Sequence, residues 1–242
     1  VISDHLHALA SPDEAIFYTS GRSSNEAAFL YGLFVRAFGT NNMPDCSNMC
    51  HESSGVGLSE TLGIGKGSVK LEDFDKAEVV MVIGQNPGTN HPRMLSALEK
   101  CKANGGKIIC INPLQEAGLI RFRNPQAFNG MLLNGHGLTD IYLQVKINQD
   151  VALLKLIEKK LATLDKVDGK VFDHEFIEKY TEGYESLLAH LETHSEKELL
   201  ELCGVDEKLI DEAVALLAKK SKIIICWAMG LTQHKNGVDN IK

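Results

Sequence analysis

The 242-residue chain has little of what would assign it at a glance: one tryptophan, six prolines, and an aromatic content of 6%. Its six cysteines are scattered through a chain of ordinary size. That excludes a disulfide framework and reads as the reduced thiols of a cytoplasmic protein. Basic residues number 25 against 32 acidic ones, for a formal charge of -7 and a pI near 5.7. Phosphate binding needs a basic face, so nucleic acid is excluded as the main partner. No apolar run reaches membrane-spanning length and no block of like charges occurs, so the sequence reads as soluble with no membrane partner. There is no G-x-G-x-x-G and no G-x-x-x-x-G-K-[ST], which removes the usual signatures of ordinary NAD and P-loop nucleotide binding. The GIGKGS at 63–68 is a flexible turn with no strand before it. The chain begins VISDHL and stops at NGVDNIK, and both ends read as cut from a longer protein.

What is present is most concentrated at 43–58, MPDCSNMCHESSGVGL, where Cys46 and Cys50 stand four apart and His51 follows at once. Covalent haem c attachment needs C-x-x-C-H and is out on spacing. A structural zinc site wants four ligands, and with no C-x-x-C pair in the chain zinc requires distant groups to converge. Two neighbouring thiols also serve simply as small buried hydrophobes. A Cys-His hydrolase with Cys50 as nucleophile is a further reading, but adjacent residues seldom face each other as nucleophile and base.

Apolar periodicity gives the organisation. A short strand is expected at 15–19, then a helix opened by Ser23 and Glu26 as a capping box, with Phe29, Leu30, Leu33, Phe34 and Ala37 as a core-facing stripe. Residues 78–112 read as a βαβ unit: strand EVVMVIG, loop QNPGTNHP, a helix ended by Gly105 and Gly106, and strand KIICIN. Their nearly continuous apolar runs suit parallel strands buried on both faces. A short strand follows at 141–147, then helices at 150–164, 173–180, 184–191, 196–203 and 206–220, and a last strand from 222. The expected class is α/β and doubly wound, with mostly parallel sheets and helices on both faces. Ligands in such folds sit beyond the carboxyl ends of the strands. There the polar, Gly-containing loops SGRSSNE, GQNPGTNHP and WAMGLTQHKNG can wrap a nucleotide.

Taken in order, TSGRSSNEAAFLYGLFVRAFGTNN, the Cys-His pair, VIGQNPGTNHP, IICINP, YTEGYESL and WAMGLTQHKNG resemble the molybdopterin oxidoreductases of the dimethyl sulfoxide reductase superfamily. Within it they are most similar to the formate dehydrogenase alpha-subunit-like branch. The resemblance covers nearly the whole chain and implies an internal fragment with two interleaved domains. Residues 1–48 with 221–242 would belong to one α/β domain, and 49–220 would form a Rossmann-like domain binding molybdopterin dinucleotide. It implies molybdenum with molybdopterin guanine dinucleotide, normally two copies per metal, and, as in many relatives, an iron–sulfur cluster bound outside this chain.

By the same resemblance Cys50 would ligate the metal, and His51 beside it would act as a proton acceptor or hydrogen-bond partner. Cys46 would be structural. Arg22, Asn25, Gly84, Asn86, His91 and Asn112 would line the cofactor, with Gly230, Thr232 and Gln233 reaching it from the last loop. Asp150 would accept hydrogen bonds from guanine, while Asp is equally at home as a helix N-cap. The chain departs from the pattern at Asn112 and Leu114, where relatives often carry an acidic and a basic residue, and in an insertion-like segment at 122–140. The implied activity is two-electron oxidation of a small substrate, formate by resemblance, with electrons passed to an external acceptor and the remaining domains of the parent protein as partners. The fragment alone is expected to be inactive, because half a cofactor clamp cannot preorganise the metal. The alternative is a protein that holds a pterin nucleotide without redox chemistry.

Overall fold

The structure is a computed structural model that describes residues 1–21, 23–44, 50–126 and 135–242. Its centre is a four-stranded parallel sheet of β1 (Val79–Ile83), β2 (Lys107–Ile111), β5 (Ile141–Leu143) and β6 (Ile223–Trp227), in the order β5-β2-β1-β6. Between β1 and β2 run α4 (Pro87–Asn90) and α5 (Pro92–Ala103). Between β2 and β5 run α6 (Ala117–Ile120) and a small antiparallel pair, β3 (Arg121–Phe122) with β4 (His136–Gly137). Five helices precede β6: α7 (Asp150–Asp168), α8 (His174–Tyr180), α9 (Tyr184–Glu192), α10 (Glu196–Cys203) and α11 (Glu207–Leu217). Two short helices follow it, α12 (Met229–Thr232) and α13 (Gly237–Ile241). Ahead of the sheet lie α1 (Ile2–His7), α2 (Asn25–Phe38) and α3 (Glu52–Leu62).

The unbroken apolar strands do what their composition dictates. Every residue of β1 is buried, and alternate side chains feed two cores on opposite faces of the sheet. Val79, Met81, Ile83, Ile109 and Ile111 pack with Leu153, Leu156, Leu199, Ile210 and Val214 of α7, α10 and α11. Val80, Val82, Ile108 and Cys110 pack with Leu95 and Leu98 of α5 and Leu119 of α6. Helices therefore cover both faces, which parallel strands with no solvated side require. The βαβ unit expected at 78–112 is present, and the helix between its strands stops at Asn104, followed by Gly105 at φ +92°. The later helices lie close to their expected positions, α10 coinciding with 196–203.

Four expectations are corrected. Ile223–Trp227 pairs in parallel with Val79–Ile83, residue for residue, and not with the N-terminal segment, so the last strand shares the sheet of the βαβ unit. This placement fills the second edge of β1, the most apolar strand, and Glu78 fixes its start by accepting from the Ser221 and Lys222 backbone N–H groups at 3.1 and 3.2 Å. Residues 15–19 form no strand; Ile16 is exposed, and Phe17 N–H donates to the Asn42 carbonyl as an isolated contact. Strand propensity needs a neighbouring strand to be realised, and none of the described residues provides one there.

In α2 the cap is Ser24, whose hydroxyl accepts from Ala27 N–H, one position later than expected. Its apolar stripe is not core: Phe29 and Leu30 are 66% and 64% exposed, Leu33 and Phe34 are also exposed, and Val35 is the buried residue of the helix. Among the described residues, no helix is long and apolar enough to cross a membrane.

Candidate functional site

The chain winds outward from β1 through β2 to β5, then returns to the far side of β1 as β6. The strand order thus reverses beside β1, and the carboxyl ends of β1 and β6 open the crevice where ligands bind in doubly wound sheets. Gly84 ends β1 with φ +57°, and Gly230 lies in α12 just beyond β6. Gly230 N–H donates to the Gly84 carbonyl at 3.0 Å, and a methyl group on Gly84 would stand 2.7 Å from Gly230 Cα. Only glycine permits so close a meeting of two backbones.

Around this contact the loops are held by their own polar groups. Asn86 caps α4, its Oδ1 accepting from Thr89 N–H, while its Nδ2 donates to Glu116 Oε2 at 2.6 Å. Asn112, at the end of β2, is buried, and its Nδ2 donates to the Gln85 carbonyl at 3.3 Å. Glu116 N–H donates to the Tyr142 hydroxyl, which in turn donates to the Leu114 carbonyl, so Tyr142 of β5 moulds the loop after β2. Gln85 Oε1 is buried without a hydrogen-bond partner among the described residues. A buried acceptor left unpaired is costly unless something else satisfies it.

Asp150 opens α7 and is 3% exposed. Burial pushes its carboxyl above the usual carboxylate range, against the lowering effects of its own backbone N–H and of His234. It does not act as the N-cap: Gln149 holds that position, with no side-chain cap bond. An acid kept buried at a helix start, with its own backbone N–H as the hydrogen-bond donor to it, has acceptor capacity left for a ligand that brings N–H donors.

The Cys-His pair sits against the loop after β6. Thr232 Oγ1 donates to the Cys50 carbonyl at 2.9 Å and Gln233 Nε2 donates to it at 3.1 Å. Ser53 Oγ returns a bond to the Thr232 carbonyl at 3.1 Å. His51 Nδ1 lies 3.1 Å from Ser54 Oγ, and Trp227 Nε1 donates to that same oxygen at 2.9 Å. Cys50 is a free, partly exposed thiol. Thr232 and Gln233 therefore grip the peptide of the pair in this structure, in addition to any role as cofactor contacts.

Of the residues expected from the sequence, Cys50, Thr232 and Gln233 are joined by hydrogen bonds and His51, next in the chain, bonds Ser54, while Gly84, Gly230, Asn86 and Asn112 border the same crevice. His91 is exposed between α4 and α5. Asn25 is exposed at the start of α2 and is not bonded into this cluster. Arg22 and Cys46 lie outside the described residues. Sequence reasoning missed Gln85, Ser54, Glu116 and the polar contact of Trp227, which also packs against the core. Ser54 had a signal, since three positions after His51 it shares a helical face with it. Trp227 had none, because its partner is 173 positions away.

Zinc and hydrolase readings gain nothing from this geometry. Among the described residues no three His, Cys, Asp or Glu side chains converge as a metal set. His190 and His194, an H-x-x-x-H pair, both direct Nε2 at Lys155 Nζ, at 2.8 and 3.4 Å, so an ammonium stands where a shared ion would. Behind His51 is a hydroxyl and not the acid that would orient a catalytic base.

A family model described as molybdopterin oxidoreductase matches residues 1–242. An uncharacterized oxidoreductase of Mycobacterium tuberculosis is 47% identical over 242 residues, all of this chain and 31% of that protein. Protein YdeP of Escherichia coli is 45% identical over 247 aligned residues, all of this chain and 32% of that protein. A formate dehydrogenase alpha subunit of Methanococcus maripaludis is 32% identical over 233 residues, 96% of this chain and 31% of the subunit. The chain thus spans about a third of the length of the curated relatives it matches. Among solved structures, acetylene hydratase from Pelobacter acetylenicus superposes with a TM-score of 0.67 at 20% identity, over 99% of this chain and 29% of that one, a likeness of fold.

Proposed function

The chain belongs to the molybdopterin oxidoreductase family, and from that premise we propose that it is the part of a molybdenum enzyme that holds one molybdopterin guanine dinucleotide and supplies a protein ligand to the metal. The complete enzyme takes two electrons from a small substrate of formate's class and passes them to an external acceptor. The observation that carries this reading is the fastening of the Cys50 peptide by Thr232 and Gln233, beside the crevice where Gly84 and Gly230 meet. The peptide so held carries a free thiol and lies against the loop that follows β6, which supports the reading. The formate dehydrogenase relative supports the substrate class.

The residues present fit the cofactor. Gln85 Oε1 is a buried acceptor wanting a donor, Asp150 is a buried acid with acceptor capacity beyond its own backbone N–H, and the paired glycines leave backbone open to close approach. When bound, the cofactor supplies a metal that can take up two electrons. Cys50 adds a soft thiolate to it, and His51 stands beside it as a hydrogen-bond partner of the substrate or an acceptor of its proton. Gly84, Asn86, His91 and Asn112 line the dinucleotide, Asp150 accepts from guanine, and Gly230, Thr232 and Gln233 close over it from the loop after β6. Arg22 and Asn25 contribute from the N-terminal part. Residues 50–242 form the dinucleotide-holding unit, and the remaining domains of the parent protein would supply the second dinucleotide site and, as in many relatives, an iron–sulfur cluster. The reduced thiols suit a cytoplasmic setting.

The test uses the full-length protein from molybdate-supplied cells competent in cofactor synthesis. Molybdenum per polypeptide and guanine nucleotide released by acid are measured, with near-stoichiometric metal and about two nucleotides expected. Protein lacking both would overturn the reading. With both present, reduction by formate and its loss in Cys50→Ser test the substrate class and the role of the thiol.

A further inference from the structure

The hydrogen bonds behind His51 fix which of its ring nitrogens carries the proton. Trp227 Nε1–H can only donate, and it donates to Ser54 Oγ at 2.9 Å, using one lone pair of that oxygen. Ser54 is buried in α3, and its hydroxyl hydrogen needs an acceptor, since leaving it unpaired in the interior is costly. Among the described residues the other atom within reach of that oxygen is His51 Nδ1, at 3.1 Å. The nearby Cys50 carbonyl is already taken by Thr232 and Gln233.

We infer that Trp227 and Ser54 act as positioning residues that lock the neutral His51 imidazole in its Nε2–H form: Trp227 donates to Ser54, Ser54 donates to Nδ1, and Nε2 is left holding the hydrogen. No described residue bonds Nε2. His51 therefore presents a hydrogen-bond donor, the group that orients a small carboxylate or another anionic oxygen, and not a lone pair that removes a proton. This selects between the two roles open to His51 and, in its meaning for substrate, rests on the function proposed above. The direction of the hydrogen bonds themselves does not.

The experiment is nitrogen NMR on the protein with isotope-labelled histidine rings, in which the two ring nitrogens report separately which of them carries the hydrogen. The His51 signals are identified by their loss in His51→Gln. The expected result is an unprotonated Nδ1 and a protonated Nε2. Ser54→Ala should turn this into a mixture of tautomers and Ser54→Thr should restore it, which a merely structural serine would not do. Trp227→Phe should also give a mixture, because the Ser54 oxygen becomes free to accept from Nδ1. A protonated Nδ1 in the unaltered chain overturns the inference without any variant having to fold. An unchanged tautomer in a folded Trp227→Phe overturns the part assigned to Trp227. Absence of molybdenum from the full-length protein would sink the redox reading and leave the tautomer untouched, so the two failures are distinguishable.

Discussion

Gly84 and Gly230 bring two loops into backbone contact at the point where the strand order of the sheet reverses. The atoms that a side chain at either position would strike are backbone atoms, so there is no flexible group to move aside. Gly230→Ala is therefore expected to destabilise the protein by about 1–3 kcal/mol, the usual cost of overpacking. Gly84→Ala should cost more, because its φ of +57° adds left-handed strain to the clash. Urea denaturation midpoints of the two variants check the order.

Leu98 is fully buried where α5 meets the sheet, in one cluster with Val80, Val82, Ile108 and Cys110. Truncation there leaves a cavity walled by rigid strands. Leu98→Ala should cost about 2–5 kcal/mol, read from the same denaturation curves, with no change in strand content by circular dichroism.

Glu78 joins the start of β1 to the start of β6. The Ser221 and Lys222 backbone N–H groups, and after them Lys220, hold its carboxyl at about 2, below the ordinary 4.5. A carboxyl depressed on folding contributes stability above its unfolded pKa and loses it as pH falls through the folded value. The difference in urea midpoint between the protein and Glu78→Gln should be constant near neutrality and disappear between about pH 4.5 and about pH 2. A difference that persists at the acid end would show that the amide fails for reasons other than charge.

Asp150 has the opposite sign. Burial raises its carboxyl pKa, so this group favours folding most in acid and opposes it increasingly as pH rises through the folded value. Asp150→Asn is expected to raise the melting temperature of the ligand-free protein at neutral pH while lowering the guanine nucleotide retained by the full-length protein. Retention equal to the unaltered protein would remove Asp150 from the guanine site.

The βαβ unit at 78–112 was legible because its signals are local: apolar runs that must be buried on both faces, and a glycine pair to end the helix between them. The α2 stripe shows the limit of the same signal. Periodicity says which face of a helix is apolar, but not that anything covers it, and Phe29 and Leu30 remain exposed. The neighbour of β6 was not legible, since an apolar strand carries no mark of its partner and β1 and the 15–19 segment both qualified. In the site, the Cys-His pair and the polar loops were visible as residues in order. What orients them was not: Trp227 and Glu116 act through bonds that join distant parts of the chain, and nothing in their immediate sequence distinguishes them from packing or surface residues, while Ser54 carries only its helical spacing from His51 as a sign.

The pairing of β1 with β6 also governs how the sheet can be assembled. Glu78 and Lys222, which begin the two strands, are 144 positions apart, and five helices lie between β5 and β6. On a ribosome the β1–β2–β5 half can form early, but the second edge of β1 stays open until residues 223–227 have emerged. Such long-range closure is slow, because loop entropy is lost before the contact rewards it. Meanwhile an apolar strand edge is available to other chains. The crevice at the seam between β1 and β6 is the last part of the sheet to come into existence, so any ligand that needs both loops must wait for β6 to dock.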